Sequence, residues 1–283
     1  MYFCSMNQDD VIKIDVDAVL RQRASKYYRY IPHCVIRWIE RTICQEQLNQ
    51  LLENNHGRRD ADFCRGVLSD LDVSYRVENE ELLPAVDNRR VAFVSNHPLG
   101  ALDGIAMIDY VSSRYGGNVK FVVNDLLMAV KPLNGVFLPI NKHGKQSRGA
   151  SDAIEEAFAG NDPIIIFPAG LCSRRRDDGT IKDLDWRKMF VNKCAEYKRD
   201  VIPVYFDAEN SPFFYKFAKF RTRLGVKFNV EMIYLPREIF RCKGKCFTIY
   251  ASAPIKWSSL KTGKNASDEA QRIKDIVYNL KNQ

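Results

Sequence analysis

Between Asp15 and Asn55 apolar residues return every three or four positions, with a break at Pro32. That spacing predicts two N-terminal helices, VDAVLRQRASKYYRY and VIRWIERTICQEQLNQLLENN. A short helix near Asp60 to Leu71 is expected next, and the alternating VSYRVENEELL predicts a strand at the edge of a sheet. From Arg90 onward short β-branched runs alternate with helical stretches: VAFVS and a helix after Asp103, KFVVN, GVFLPI and a helix from about Ser147, PIIIF and a helix near Asp185, then VIPVYF. A helix from Ser211, a strand CFTIYASAPI and an amphipathic helix near Ser267 to Leu280 close the chain. Such alternation predicts an α/β fold with a mainly parallel central sheet flanked by helices. The expected organisation is a single domain, with an N-terminal helical segment (1–72) leading into an α/β core (73–283) as one compact unit. In sheets of this kind the connections after the carboxyl ends of the strands usually carry the ligands.

Composition narrows the class. With 46% hydrophobic and 28% charged residues in 283, the chain is ordinary globular protein, which excludes disordered and collagenous classes. Lys and Arg outnumber acidic residues 43 to 35, and the resulting charge of +8 favours anionic partners: phospholipid head groups, nucleic acid or an acidic carrier protein. The eight cysteines are scattered rather than packed into a small framework, so reduced thiols in the cytoplasm are expected. The N-terminus lacks a basic start followed by an apolar run, so no secretory signal is expected. The most apolar stretch, PIIIFPAGLC, falls short of the roughly 18 residues needed to span a bilayer. Any membrane contact is therefore expected to be peripheral.

Candidate chemistry sits in V91AFVSNHPLGALDGIAM, where His97 and Asp103 bracket a Pro98 and Gly100 turn between a strand and a helix. Taking a proton from an attacking hydroxyl needs a base near neutrality, which a neutral imidazole supplies. A carboxylate on its other ring nitrogen fixes the tautomer and stabilises the imidazolium that forms. By itself the pair fits a plainer reading better, with Asp103 capping the helix and His97 an ordinary loop residue.

SNHPLGALDG is followed in order by PLNGVFLPINK, IIIFPAGLCSRRR and VIPVYF. Together, over Arg90 to Asp207, these blocks resemble the glycerolphosphate and lysophosphatidic acid acyltransferase superfamily. The resemblance implies that His97 is the general base and Asp103 its orienting carboxylate. It also implies transfer of a fatty acyl group from an acyl thioester, carried by acyl carrier protein or CoA, to a lipid hydroxyl. Two departures stand out. Five residues, Pro98 to Leu102, separate the pair where most members have four, and the third block reads Phe167, Pro168, Ala169, Gly170 where a glutamate usually precedes the glycine. That glutamate accompanies glycerol-phosphate acceptors. Both departures, and LGVKFNVEMIYLPREIF downstream, resemble the bacterial hemolysin-like branch. Its members include O-acyltransferases that complete ornithine and glycine lipids by acylating the hydroxyl of a lyso-aminolipid already bearing a 3-hydroxy fatty amide. A 1-acylglycerol-3-phosphate acceptor and a lipid hydrolase are the alternatives.

By alignment of the blocks, Asn96, Asn141, Lys142, Gly170, Ser173 and Arg174 are the substrate-binding candidates, while Arg175 and Arg176 are expected at the surface. Arginines after PIIIF suit a carrier's phosphate or an acceptor carboxylate. The oxyanion is expected to find backbone donors in the Pro98 to Gly100 turn or at the following helix start. His143, His33 and His56 are expected in exposed loops. In SPFFYKFAKFRTRLG, Phe213, Phe214 and Phe217 interleave with Lys216 and Lys219, a composition suited to a helix on an anionic membrane. A helix packed on the core with its lysines in water fits equally well. The expected location is the inner face of the bacterial cytoplasmic membrane, peripherally bound.

No G-x-S-x-G elbow, phosphate-binding loop or dinucleotide fingerprint occurs, and Cys242 with Cys246 lacks a second ligand pair, so no cofactor and no metal are expected. A hydrolase using Cys172 or Ser95 as nucleophile is one rival. A nucleic-acid-binding protein, resting on charge alone, is another, and no nucleic-acid partner is expected because no reading motif supports it.

Overall fold

The protein is described by a computed structural model covering residues 13–23, 25–140, 148–226 and 228–282. The N-terminal segment folds as α1 (Val16–Arg23), α2 (Ser25–Tyr28), α3 (His33–Thr42), α4 (Gln45–Asn54) and α5 (Asp60–Asp70). The single helix expected after Pro32 is divided, because Cys44 takes a left-handed conformation (φ 53°) between α3 and α4.

The core then alternates β1 (Ser74–Glu78), β2 (Val91–Ser95), α6 (Leu102–Tyr115), β3 (Lys120–Asn124), β4 (Phe137–Ile140), α7 (Arg148–Ala159) and β5 (Ile164–Ile166). A two-stranded hairpin follows, β6 (Arg174–Arg175) and β7 (Ile181–Lys182), then α8 (Met189–Glu196), β8 (Asp200–Asp207), α9 (Pro212–Arg223), α10 (Leu235–Arg241), β9 (Cys246–Ala251) and α11 (Ala266–Asn279). No helix covers Asp185. There Trp186 and Arg187 bond through their amides to Gln271 and Pro168 instead of along a helix, and α8 begins at Met189.

Seven strands form the central sheet in the order β1-β9-β8-β2-β5-β3-β4. All neighbours are parallel except β8 and β9, so β9 and β1 run against the other five. The middle strands read as unbroken apolar runs because both faces are covered. Along β2, Val91 and Phe93 face one core with α5 and α6, while Ala92 and Val94 face a second containing Phe158, Phe190 and Ile273. At the edge, β1 alternates exposed and half-buried positions. Helix α5, although inside the N-terminal segment, is integral to the first core through Phe63, Cys64, Val67 and Leu68. A third small cluster, Cys172, Phe214, Tyr215 and Leu235, supports the loop after β5 with α9 and α10.

Candidate active site

The carboxyl ends of β2 and β5 meet at one edge of the sheet, and the turns that leave them build the site. His97 follows β2, and Asp103 occupies the first turn of α6. His97 Nδ1 lies 2.9 Å from Asp103 Oδ2, and Asp103 is fully buried. The five intervening residues close because Gly100 turns the chain at φ +82°. A Cβ there would approach Leu235 at 3.0 Å and Cys172 at 3.1 Å, so the position needs glycine twice over.

Asp103 also accepts from the amides of Leu99 (2.9 Å), Gly100 (3.4 Å) and Gly104 (2.9 Å). Turn stabilisation and histidine orientation are therefore one arrangement rather than alternatives. The Leu99 and Gly100 amides are directed at this carboxylate, which corrects the expectation that the turn donates to an oxyanion. Pro98 has no amide hydrogen. The start of α6 remains, where Leu102 and Asp103 carry first-turn amides that a helix leaves unpaired.

The imidazole stacks on Phe167, with ring centroids 4.3 Å apart. Phe121 meets Phe167 edge-on at 5.2 Å. Behind the turn, Asn210 donates to the carbonyls of Pro98 (3.1 Å) and Leu99 (3.4 Å), and its buried Oδ1 has no partner among the described residues.

Asp183, absent from the sequence reading, ties these pieces together. Its Oδ1 accepts from the His97 amide (3.2 Å) and the Ser173 hydroxyl (2.6 Å), and its Oδ2 accepts from the Trp186 indole (2.9 Å). The Ser173 amide donates in turn to the His97 carbonyl at 2.8 Å. Lys274 of α11 donates to the Asp183 carbonyl. Burial pushes the Asp183 carboxyl above the usual range, against the pull of those three donors. Its only sequence signal was an acidic residue after a basic loop, which in isolation indicates a solvated charge.

Several candidates land elsewhere than expected. Asn96 is buried and pairs through its side chain with the Phe206 backbone on β8, so it joins two strands and does not reach substrate. Ser173 is closed to solvent and spent on Asp183 and His97. Gly170 turns the chain after β5 at φ +64°. Arg174 faces a cleft, but its guanidinium is paired with the buried Glu231 at 2.8 Å and with the Cys172 carbonyl at 3.1 Å. Asn141 and Lys142, with His143, lie outside the described residues. Phe214 is fully buried against Tyr215 and Leu235, which corrects its assignment as a membrane contact. Phe213 and Lys216 are exposed, Phe217 is half-buried, and Lys219 is paired with Asp177 at 2.8 Å.

The cleft, of about 430 Å³, opens where Ala169, Arg174 and Asp183 come together with Arg176, Lys182 and Arg187. The alternative nucleophiles fare poorly. Ser95 and Cys172 are fully buried, and burial pushes the Cys172 thiol up to about 11, although Arg174 pulls it down, so it is a neutral thiol at physiological pH.

Comparison with known proteins matches residues 18–283 to a family described as Acyltransferase. A lyso-glycine lipid O-acyltransferase of Phocaeicola vulgatus is 41% identical over 277 residues, covering 98% of each chain. A protein of the same name from Bacteroides thetaiotaomicron is 41% identical over 275 residues, covering 97% of this chain and all of its own. Among solved structures, the 1-acyl-sn-glycerophosphate acyltransferase of Thermotoga maritima aligns over 94% of this chain and 98% of its own, with 16% identity and a TM-score of 0.44.

Proposed function

The chain belongs to the acyltransferase family, and on that premise we propose that it acylates the hydroxyl of a lyso-glycine lipid, using acyl carrier protein or CoA thioester as donor. Full-length identity of 41% to two proteins of that name supports the acceptor. The observation that carries the mechanism is the 2.9 Å contact between His97 Nδ1 and the buried Asp103.

That contact holds the Nδ1 proton and leaves the Nε2 lone pair for the acceptor hydroxyl. As Nε2 takes the proton, the oxygen attacks the thioester carbonyl, and the tetrahedral oxyanion is met at the start of α6. Collapse expels the thiolate, which takes the proton back from the imidazolium. An ester and a free thiol result, with no acyl-enzyme. Asp183 holds the His97 backbone against the loop after β5, so the base keeps its aim.

Lipid acceptors place the reaction at a membrane surface. No helix among the described residues is long and apolar enough to cross one. Instead Phe213, Phe217 and Phe220 recur at helical spacing along α9, Leu224 continues the line at its C-terminal cap, and Phe228 beyond it is 81% exposed. With Lys216 and Arg223 beside them, these residues suit peripheral contact with the anionic cytoplasmic leaflet, where the donor pool lies.

Purified enzyme given lyso-glycine lipid and either acyl carrier protein or CoA thioester is expected to form the diacyl product. His97→Ala is expected to lose at least about 100-fold in kcat with its fold intact by circular dichroism. Near-normal turnover in that variant defeats the mechanism. A covalent acyl-protein seen by mass spectrometry indicates a hydrolase, and exclusive acylation of lysophosphatidic acid indicates a glycerolipid enzyme.

A further inference from the structure

We infer that Arg176, Lys182 and Arg187, rather than the motif arginine Arg174, receive the acceptor's carboxylate head group. This rests on the acceptor class proposed above and assigns the part of the site that recognises it.

Arg174 is already committed. Its Nη2 donates to Glu231 at 2.8 Å, and its Nη1 donates to the Cys172 carbonyl at 3.1 Å. Glu231 is fully buried and is shared with Arg221, whose Nε lies 2.8 Å from the other carboxylate oxygen. Drawing Arg174 away leaves the fully buried Glu231 with Arg221 alone and trades a buried ion pair for a more exposed one, an exchange that favours the pair already made. Arg174 therefore acts as cleft wall.

The other three cations make no ion pair among the described residues. Arg176 makes only a long contact, 3.4 Å, to the Asp183 carbonyl, and the Lys182 ammonium lies 5.4 Å from the centre of the Tyr278 ring. Their convergence follows from the hairpin. Arg174 is opposite Lys182 in the hairpin, and Arg176, one residue beyond β6, continues the pairing through its amide to the Thr180 carbonyl at 2.8 Å, which brings its side chain to the same cleft. Arg187 joins them because its amide is bonded to the Pro168 carbonyl at the end of the β5 turn. Asp183 does not neutralise the group, since its carboxylate is turned inward to three donors; Asp185 on the cleft wall, 4.0 Å from Lys274, and Asp178, which faces Arg176 and Lys182, offset it in part and leave the three cations in excess.

Reach decides which anion fits. The cleft is joined to the His97 loop by Asp183, which lines it and accepts from the His97 amide at 3.2 Å, so an anion there lies one side chain from that loop. In a 3-hydroxyacyl glycine only a short amide-linked run separates hydroxyl from carboxylate. In the thioester donors the whole pantetheine arm separates the reacting carbonyl from the phosphate. A cleft beside the His97 loop thus suits the short acceptor better than the long donor arm.

The test uses full-length enzyme, with Arg176→Gln, Lys182→Gln, Arg187→Gln and their triple combination. Each is assayed with lyso-glycine lipid and with its uncharged glycinamide counterpart, against both acyl carrier protein and CoA donors. Each single change is expected to raise KM for the acid about tenfold, the loss of one charge-assisted hydrogen bond. The amide, bound more weakly by wild type, is expected to shift less than about threefold, and donor KM is expected to hold. Arg174→Gln is expected to affect acid and amide alike. A rise in KM for one or both donors instead overturns the inference and assigns the cleft to the donor phosphate. Equal shifts for acid and amide, or an unchanged acid KM, also overturn it. A wild-type enzyme that leaves lyso-glycine lipid unacylated removes the acceptor assignment itself, a result separate from any of these.

Discussion

Asp103 accepts four hydrogen bonds while closed to solvent, and this gives the proposed catalytic pair a definite acid limit. Burial, the largest influence on its carboxyl, acts to raise its pKa, but the His97 charge, the His97 hydrogen bond and the Leu99 and Gly104 amides together outweigh it and hold the group below the usual carboxylate range. A folded value below the unfolded one means that the ionised carboxylate stabilises the fold at pH above the unfolded value, and that this stabilisation is lost as pH falls through the folded value. Asp103→Asn is therefore expected to lower unfolding stability in urea at pH 5, with the gap to wild type closing as pH falls below about 4. A gap that widens over that window contradicts the account. Asp183 carries the opposite sign, since burial raises its pKa and its ionised form is sustained only by the groups it orders.

Among elements, the junction of α7, β2 and β8 depends on one side chain. Arg199 enters β8 fully buried without an acidic partner among the described residues, and donates to the carbonyls of Ala157, Phe158, Gly160 and Asp162 at 2.7 to 2.9 Å. A longer contact at 3.4 Å reaches the Val91 carbonyl on β2. The last carbonyls of a helix lack partners and form its negative end, so a cation there satisfies both needs. Burial pulls the Arg199 guanidinium down to about 10, still charged at neutral pH. Arg199→Met leaves those carbonyls buried and unpaired, and is expected to cost more than about 3 kcal/mol in denaturant unfolding. A loss below about 1 kcal/mol defeats that role.

For the whole molecule, the charge of +8 and the exposed apolar ridge of α9 are complementary to an anionic bilayer. Burying one Leu or Phe side chain contributes about 1.5 to 3 kcal/mol, so a few inserted residues are enough for reversible docking. Leu224→Asp combined with Phe228→Asp is expected to reduce co-sedimentation with anionic vesicles at least about tenfold, while turnover of a short-chain, micellar acceptor continues. Undiminished vesicle binding in the double variant assigns docking to another surface.

The alternation of apolar runs from Arg90 was enough to specify a mainly parallel sheet, because buried parallel strands and amphipathic helices have different periods. The ordered blocks around His97 and Asp103 were enough to indicate the reaction class. Sequence alone could not show that Asn96 and Ser173 are spent on backbone and on Asp183, since an amide or hydroxyl looks the same whether it meets substrate or protein. Nor could it show that Phe214 faces inward while Phe213 faces out, because adjacent helical residues differ only by rotation about an axis that packing sets. Asp183, Asn210, Glu231 and Arg199 each reach partners 37 or more residues distant, as when Asp183 reaches His97 across 86 positions and Asn210 reaches Pro98 across 112. No local pattern encodes such pairs. Local periodicity thus determined the elements and their order, while the tertiary structure decided which polar groups face one another, because that depends on residues brought together only by the closed sheet.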